Sequence, residues 1–275
     1  MFKLHFNFHH IGDQVCTTGV PENIFYATGT KTVVTNPNIW VFKYNPYVEF
    51  KTEQDSKDLT TISLVPDCRV QQQAQHYFDT MKSFIANGQI EYMCRNFGLD
   101  NIVLRHPRLY IYEDEDIQPN KIVVHTSGSD RTRDGEPAIR YQSGEDSERH
   151  MSDEVIESIL KNYKDYQIVQ VGASTDKPIG GHSIDRRGQY DYWQTAREIA
   201  TSARFIGVNS GPMHIANCYP RVEKRIVLME FPEKTLLQHS PGDIRNWLFS
   251  WIDPTNTYFN KFDRDIGVTY SYKKL

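Results

Sequence analysis

Between residues 205 and 216 the chain reads Phe-Ile-Gly-Val-Asn-Ser-Gly-Pro-Met-His-Ile-Ala, a buried-strand pattern that ends in small polar residues and passes into a helix. Pro212 suits a first helical turn, where its missing N–H is not needed, so Ser210 and Gly211 fall at a helix N-terminus. Free backbone N–H groups and the positive end of the helix dipole attract anions there. Gly211 admits a diphosphate close to the backbone, Ser210 adds a hydroxyl donor, and Met213 and His214 follow in the first turn. One dipole contact contributes about 0.3–2 kcal/mol, so several groups must act together. The competing reading is an ordinary strand-to-helix turn.

Three other clusters could carry chemistry. Gly172-Ala173-Ser174-Thr175-Asp176 follows a strand and is glycine-led, but it is neither G-x-G-x-x-G nor a P-loop; from it Asp176 could meet a ribose hydroxyl. Asp114-Glu115-Asp116 has the spacing with which paired carboxylates hold Mg²⁺ or Mn²⁺ against a nucleotide diphosphate, although it lies in an acidic run with Pro119 that reads more readily as a solvated linker. His9, His10 and Asp13 form the tightest group of metal-ligand types, but successive strand side chains point to opposite faces. Cys16, Cys68, Cys94 and Cys218 are dispersed without a C-x-x-C pair and read as reduced, mostly buried thiols. No G-x-S-x-G elbow is present.

The elements that position these residues follow from periodicity. Alternation over residues 2–8 predicts a first strand, and residues 11–21 lead from it into a short helix over 22–27. Further strands are predicted over 32–35, 39–42 and 61–65, with Asn36-Pro37-Asn38 as a turn. An apolar stripe (Ala74, Tyr77, Phe78, Met81, Phe84, Ile85) predicts a helix over 70–87, stopped by Gly88. Residues 109–112 read as extended and 113–120 as a linker, which divides the chain into domains 1–115 and 120–275.

Downstream, strands at 121–125, 167–171, 205–208 and 225–229 alternate with helices at 152–163, 192–203 and 212–218. This pattern implies a parallel sheet with helices on its faces. The fold class is α/β with two Rossmann-like halves, and Trp247 and Trp251 read as packing in the tail.

With 275 residues and a net charge of −4, the chain can bury a sizeable core, and no global positive field draws it to nucleic acid or anionic lipid. Hydrophobic residues at 39%, charged residues at 24% and a mean hydropathy of −0.59 argue against wholesale disorder. No apolar run approaches the roughly 18–20 residues of a membrane helix, and the start MFKLHFNFHH lacks a signal-peptide pattern, so the expected location is cytoplasmic.

The stretch from Asn209 to Ala216, with "REIATSARFIGV" before it, resembles the signature of the heptosyltransferase-like glycosyltransferases of family 9. That family has a GT-B fold, two Rossmann-like domains facing each other across a cleft, and extends bacterial lipopolysaccharide cores from nucleotide-activated sugars, typically ADP-heptose. Its motif usually begins with Asp where this chain has the uncharged Asn209. Gly188 with Tyr192, Thr195, Ala196 and Ile199 is similar to the family's preceding turn and helix, and 169–172 to its strand and glycine loop. Residues 121–125 followed by Thr126-Ser127-Gly128-Ser129 look like its first C-terminal strand and phosphate-facing loop.

Ile11-Gly12-Asp13 with Thr17 and Thr18 is similar to the family's "GD…T" turn, which implies Asp13 as catalytic base. The family's phosphate-binding lysine does not align. Arg131, Arg133, Arg140 and Arg149 are the candidate substitutes, Arg131 standing nearest the strand end, and arginine can grip a phosphate bidentately.

The resemblance implies a metal-independent, inverting transferase without a cofactor. It would pass a heptose or hexose from a nucleotide-diphosphate donor, ADP-linked in the family, to a hydroxyl of a glycan, lipid-linked glycan or protein, working in the cytoplasm or peripherally at the inner membrane face. The donor would be held by Thr126, Ser127, Gly128, Ser129, Arg131, Gly172, Asp176, Asn209, Ser210, Gly211, Pro212, Met213 and His214. The alternatives are a nucleotide-sugar epimerase of GT-B-like fold, a non-catalytic sugar-nucleotide or glycan-binding module, and a metal-dependent GT-A transferase using Asp114 and Asp116.

Overall fold

The computed structural model describes residues 2–5, 11–35, 39–63, 90, 94, 98–99, 101–104, 106–128, 150–208, 210–228, 256–260 and 272–273. The helix expected over 70–87, residues 129–149, Cys68, His9, His10, Trp247 and Trp251 lie outside the described residues. Those residues form two compact units, one up to Ile111 and one from Tyr112 onward.

In the first unit β1 (Phe2–His5), β2 (Thr32–Thr35), β3 (Val48–Phe50) and β4 (Thr60–Ser63) make a sheet in the order β3-β2-β1-β4. All its pairings are parallel. Residues 11–21, which lead into the expected helix, hold α1 (Ile11–Val15) and the start of α2 (Val20–Thr28). Pro21 sits in the first turn of α2, as its fixed φ favours, and Gly29 closes that helix in the left-handed conformation at φ 70°.

The strand expected over 39–42 is a helix, α3 (Ile39–Phe42), and the edge strand comes later as β3. Four apolar residues in a row carry no period that separates the two conformations. Here Val41 and Phe42 are buried together, and Asn45 turns the chain by accepting from the Tyr47 N–H at 2.9 Å and donating to the Thr18 carbonyl at 3.1 Å.

Residues 109–112 are not extended either: Tyr110 and Tyr112 have φ of 57° and 59°, a left-handed conformation costly for bulky residues. Glu22, itself buried, organises this bend. The Tyr110 hydroxyl donates to Glu22 Oε2 at 2.5 Å, and the Arg108 guanidinium lies 4.8 Å from the Tyr110 ring centre and 3.5 Å from Glu22 Oε1. Burial, and then this bond to Glu22, pushes the Tyr110 hydroxyl above its ordinary pKa.

The second unit is a seven-stranded sheet of β5 (Gln118–His125), β6 (Gln167–Gln170), β7 (Ile184–Asp185), β8 (Ser202–Gly207), β9 (Glu223–Leu228), β10 (Asn256–Asn260) and β11 (Tyr272–Lys273). Its order is β11-β10-β9-β8-β5-β6-β7, and every pairing is parallel. β5 begins inside the expected linker. Its last five residues are buried, as a central parallel strand requires.

Helices α4 (Asp153–Asn162), α5 (Tyr192–Ala200) and α6 (Gly211–Asn217) connect the strands. Val155, Ile156 and Ile159 of α4 join Ile122, Val124, Ile168, Ile206 and Val227 in one core, each full burial contributing about 1.5–3 kcal/mol. α5 starts with a capping box between Asp191 and Gln194. It ends at Ala200, earlier than expected, because Thr201 serves as its cap and accepts from the buried Lys121 Nζ at 2.6 Å, leaving Ser202 to begin β8.

Both units share one topology. Chain order runs outward from β1 to β2 and β3 on one side and to β4 on the other, and from β5 to β6 and β7 on one side and to β8, β9, β10 and β11 on the other. This is the doubly wound Rossmann order, in which ligands bind beyond the carboxyl ends of the strands where the order reverses. In the second unit the reversal falls between β5 and β8. No helix among the described residues is long and apolar enough to cross a membrane.

Candidate donor site

The parallel register pairs His125, the last residue of β5, with Gly207, the last of β8. Beyond that pair the chain passes through Val208, whose N–H donates to the His125 carbonyl at 3.3 Å, to Ser210 at the start of α6. Ser210 is extended (φ −165°, ψ 179°) and its side chain makes no capping bond to its own helix. The hydroxyl instead lies 2.9 Å from His125 Nδ1, with the Val208 carbonyl a second acceptor at 3.2 Å.

On the other side of the ring, His125 Nε2 is 3.3 Å from Asp176 Oδ2. Asp176 accepts from the Ala173 N–H at 2.8 Å through the same oxygen. Gly172 makes this meeting possible. Its φ is 133°, and a Cβ there would run into Asp176 Oδ2 and come 2.9 Å from the His125 ring. His125 is 4% exposed and lies between the partly exposed Asp176 and Ser210.

Arg187 secures the loop from outside. It binds Asp185 through Nε and Nη2 at 3.0 and 2.7 Å and donates to the Asp176 carbonyl. These bonds from Arg187, against some burial, hold the Asp185 carboxyl below its usual range.

The residues expected to hold a donor divide into three groups. Ser210, Gly211 and Pro212 are partly exposed, and a Cβ on Gly211 would meet nothing within 4 Å. This part of the turn therefore faces open space.

A second group is turned toward the protein's own chain in this structure. Thr126 is fully buried; its hydroxyl donates to the Lys177 carbonyl at 2.5 Å and accepts from Gln170 Nε2 at 3.0 Å, so its donor is already engaged. Ser127 Oγ accepts from the Lys177 N–H at 2.9 Å. Met213 and His214 are buried and their N–H groups are bound to the Ser210 carbonyl. Asp176, proposed to meet a ribose, is turned onto His125 and its own loop. Gly172 and Gly128 belong to the described loops, Gly128 buried with Thr126 and Ser127.

The third group, Ser129, Arg131 and Asn209, lies outside the described residues, as do Arg133, Arg140 and Arg149. Asp13 sits within α1, directly after the segment that leaves β1. It does not cap α2, whose N-cap is Gly19.

The acidic pair Asp114 and Asp116 precedes the amino end of β5 instead of following a strand. The eight residues of β5 span about 23–27 Å, so the pair stands at the end of the sheet opposite His125 and Ser210. Glu115 between them is bound to Arg197 at 3.0 Å. Among the described residues no group of three metal-ligand side chains converges. Cys16, Cys94 and Cys218 are buried, and burial pushes the Cys94 thiol up to about 12.

Two organising residues escaped the sequence reading. Gln170 clamps the loop through Thr126, the Lys177 carbonyl at 2.7 Å and the Ile179 N–H at 2.8 Å. His125 was read only as a strand end. A histidine closing the apolar run Ile-Val-Val before Thr-Ser-Gly was the available signal, because strand carboxyl ends are where such folds bind ligands.

No family model and no curated protein sequence matches this chain. Solved structures do match. A glycosyl transferase family 9 protein from Veillonella parvula is 14% identical, with a TM-score of 0.57 over 95% of this chain and 86% of that one. The E. coli heptosyltransferase WaaC with ADP is 10% identical, with a TM-score of 0.56 over 98% of this chain and 96% of that one. The iron-containing dodecameric glycosyltransferase TibC from enterotoxigenic E. coli is 15% identical with a TM-score of 0.55, and this chain covers 57% of that longer chain. The chain has the fold of the family 9 glycosyltransferases and heptosyltransferases.

Proposed function

We propose that this protein is a glycosyltransferase that moves a heptose or hexose from a nucleotide-diphosphate donor to an acceptor hydroxyl, with inversion and without a resident metal. The observation that carries the reading is the turn at Ser210 and Gly211, which opens onto free space at the switch point between β5 and β8 of a doubly wound sheet. Its fold is that of a heptosyltransferase solved with ADP.

In the proposed reaction Asp13 takes the proton of the acceptor hydroxyl, whose oxygen bonds to the anomeric carbon. The bond from that carbon to the diphosphate breaks, and its electron pair leaves with the diphosphate. A positioned general base contributes about 10²–10⁴ in rate. The Ser210 hydroxyl and an arginine of the 131–149 segment balance the charge of the leaving diphosphate. Glycans, lipid-linked glycans and proteins are the acceptor classes, and the cytoplasm or the inner membrane face is the proposed place of work.

The test is a thermal-shift screen of nucleoside diphosphates and nucleotide sugars, since a ligand at 100 times its Kd stabilises by about 2.7 kcal/mol. It is followed by NMR of the product anomer with an acceptor panel. Absence of any nucleotide-dependent shift would remove the proposal, and turnover of a donor without an acceptor would turn it toward epimerisation.

A further inference from the structure

Doubly wound sheets bind ligands on the loops that follow their strands, and loops that are already ordered bind without the entropic cost of ordering them. Here the paired register of β5 and β6 ends at Val124 and Gln170. Past that point the two loops are joined by side chains. The Thr126 hydroxyl donates to the Lys177 carbonyl at 2.5 Å, and Ser127 Oγ accepts from the Lys177 N–H at 2.9 Å. The first two residues after β5 thus hold both backbone groups of one residue in the loop after β6.

Gln170, the last residue of β6, serves the same junction. Its Nε2 donates to Thr126 Oγ1 at 3.0 Å and to the Lys177 carbonyl at 2.7 Å, and its Oε1 accepts from the Ile179 N–H at 2.8 Å. Both amide hydrogens and the amide oxygen are engaged. Thr126, Ser127, Gln170, Lys177 and Ile179 are all buried, so removing one partner leaves a buried polar group unpaired. The start of α4 is tied to the same junction, since the Met151 N–H donates to the Thr126 carbonyl at 2.9 Å and Lys177 Nζ lies 2.8 Å from Asp153 Oδ1.

We propose that Gln170 is a positioning residue that sets the affinity for the nucleotide-sugar donor by holding the loops after β5 and β6 in one arrangement. This inference rests on the donor-site reading above and adds to it a residue that acts through Thr126 and Lys177. The competing role is stabilisation of the fold alone, which would lower the melting temperature of a Gln170 variant and leave its affinity unchanged.

The test is calorimetry with ADP-glucose, UDP-glucose and GDP-mannose on the full chain at pH 5.5 and 8.5, each variant being compared with the wild type at the same pH. Gln170→Met offers an apolar side chain of similar length. It should bind about tenfold more weakly at both pH values, the weight of about one net hydrogen bond. Gln170→Glu puts a carboxylate, which can only accept, against the Lys177 carbonyl. Protonation restores one O–H donor to that carbonyl while the other oxygen keeps the Ile179 N–H, and burial raises the pH at which this happens. Gln170→Glu should therefore bind about tenfold more weakly than the wild type at pH 8.5 and within about threefold of it at pH 5.5. Ile159→Val, in the core of α4, should melt lower with its affinity unchanged.

Gln170→Met that melts lower yet binds as tightly as the wild type overturns the proposal and leaves the donor site standing. A Gln170→Glu deficit equal at both pH values does the same, as does an Ile159→Val affinity that falls as far as that of Gln170→Met. If Gln170→Met fails to fold, the pH comparison of Gln170→Glu decides alone. Failure of the wild type to bind any of the three nucleotide sugars overturns both readings.

Discussion

Replacing Gly172 by alanine should damage the site through its backbone and its nearest neighbours. The backbone there has φ 133°, outside the region open to side chains, which costs about 1–3 kcal/mol for a residue forced to adopt it. The added Cβ would also run into Asp176 Oδ2 and approach the His125 ring to 2.9 Å. Asp176 must then retract from the Ala173 N–H it holds at 2.8 Å, and a bond to a charged group contributes about 1.5–3 kcal/mol. Together the two effects come to about 2.5–6 kcal/mol.

At about 2–4 °C per kcal/mol, the transition that contains the second unit should fall by roughly 5–24 °C, read by calorimetric melting. Gly211→Ala is the matched control. Its Cβ would meet nothing within 4 Å, and at a compatible position alanine stiffens the unfolded chain and adds about 0.4–1 kcal/mol. Gly172→Ala melting within 2 °C of wild type, on the order of the melting shift that one kcal/mol produces, would refute the assigned strain. A large melting loss with unchanged nucleotide-sugar affinity would instead detach the His125–Asp176 contact from the site.

Asp13→Asn should lower kcat by about 10² or more while donor affinity and melting temperature stay near wild type; since Gly19 and not Asp13 caps α2, near-normal turnover would end its assignment as base. Gly211→Val should leave the fold intact but weaken nucleotide-sugar binding by calorimetry, because its side chain would fill the open space of the turn. Transfer should survive EDTA, and Asp114→Ala with Asp116→Ala should cost little activity; loss in both experiments would restore a metal-dependent reading. Asp185, held low chiefly by its bonds from Arg187, contributes stability that is fully present above its unfolded value near about pH 4 and is lost as pH falls through its lower folded value. Asp185→Asn should therefore flatten the acid limb of a stability–pH curve below about pH 4.

Much of the second unit was legible in the sequence because its signals are local. The helical segments at 152–163 and 192–203 and the apolar runs of β5, β6 and β8 each lie within a dozen residues, and their alternation implies parallel strands. Pro212 after Ser-Gly marked the start of α6 to within one residue. Short apolar runs were less informative, and residues 39–42 folded as a helix because packing of Val41 and Phe42, not periodicity, set their conformation.

What the candidate site does with its residues was decided by register. His125 meets Ser210 across 85 positions because β5 and β8 are hydrogen-bonded neighbours with His125 opposite Gly207. It meets Asp176 because Gly172 bends the chain after β6 where a side chain could not fit. No local pattern encodes which strands become neighbours, so the histidine at the centre of the site looked like a strand end. Thr126 looked free to bind phosphate, and the sheet instead brought it against Gln170 and Lys177, which engage its hydroxyl.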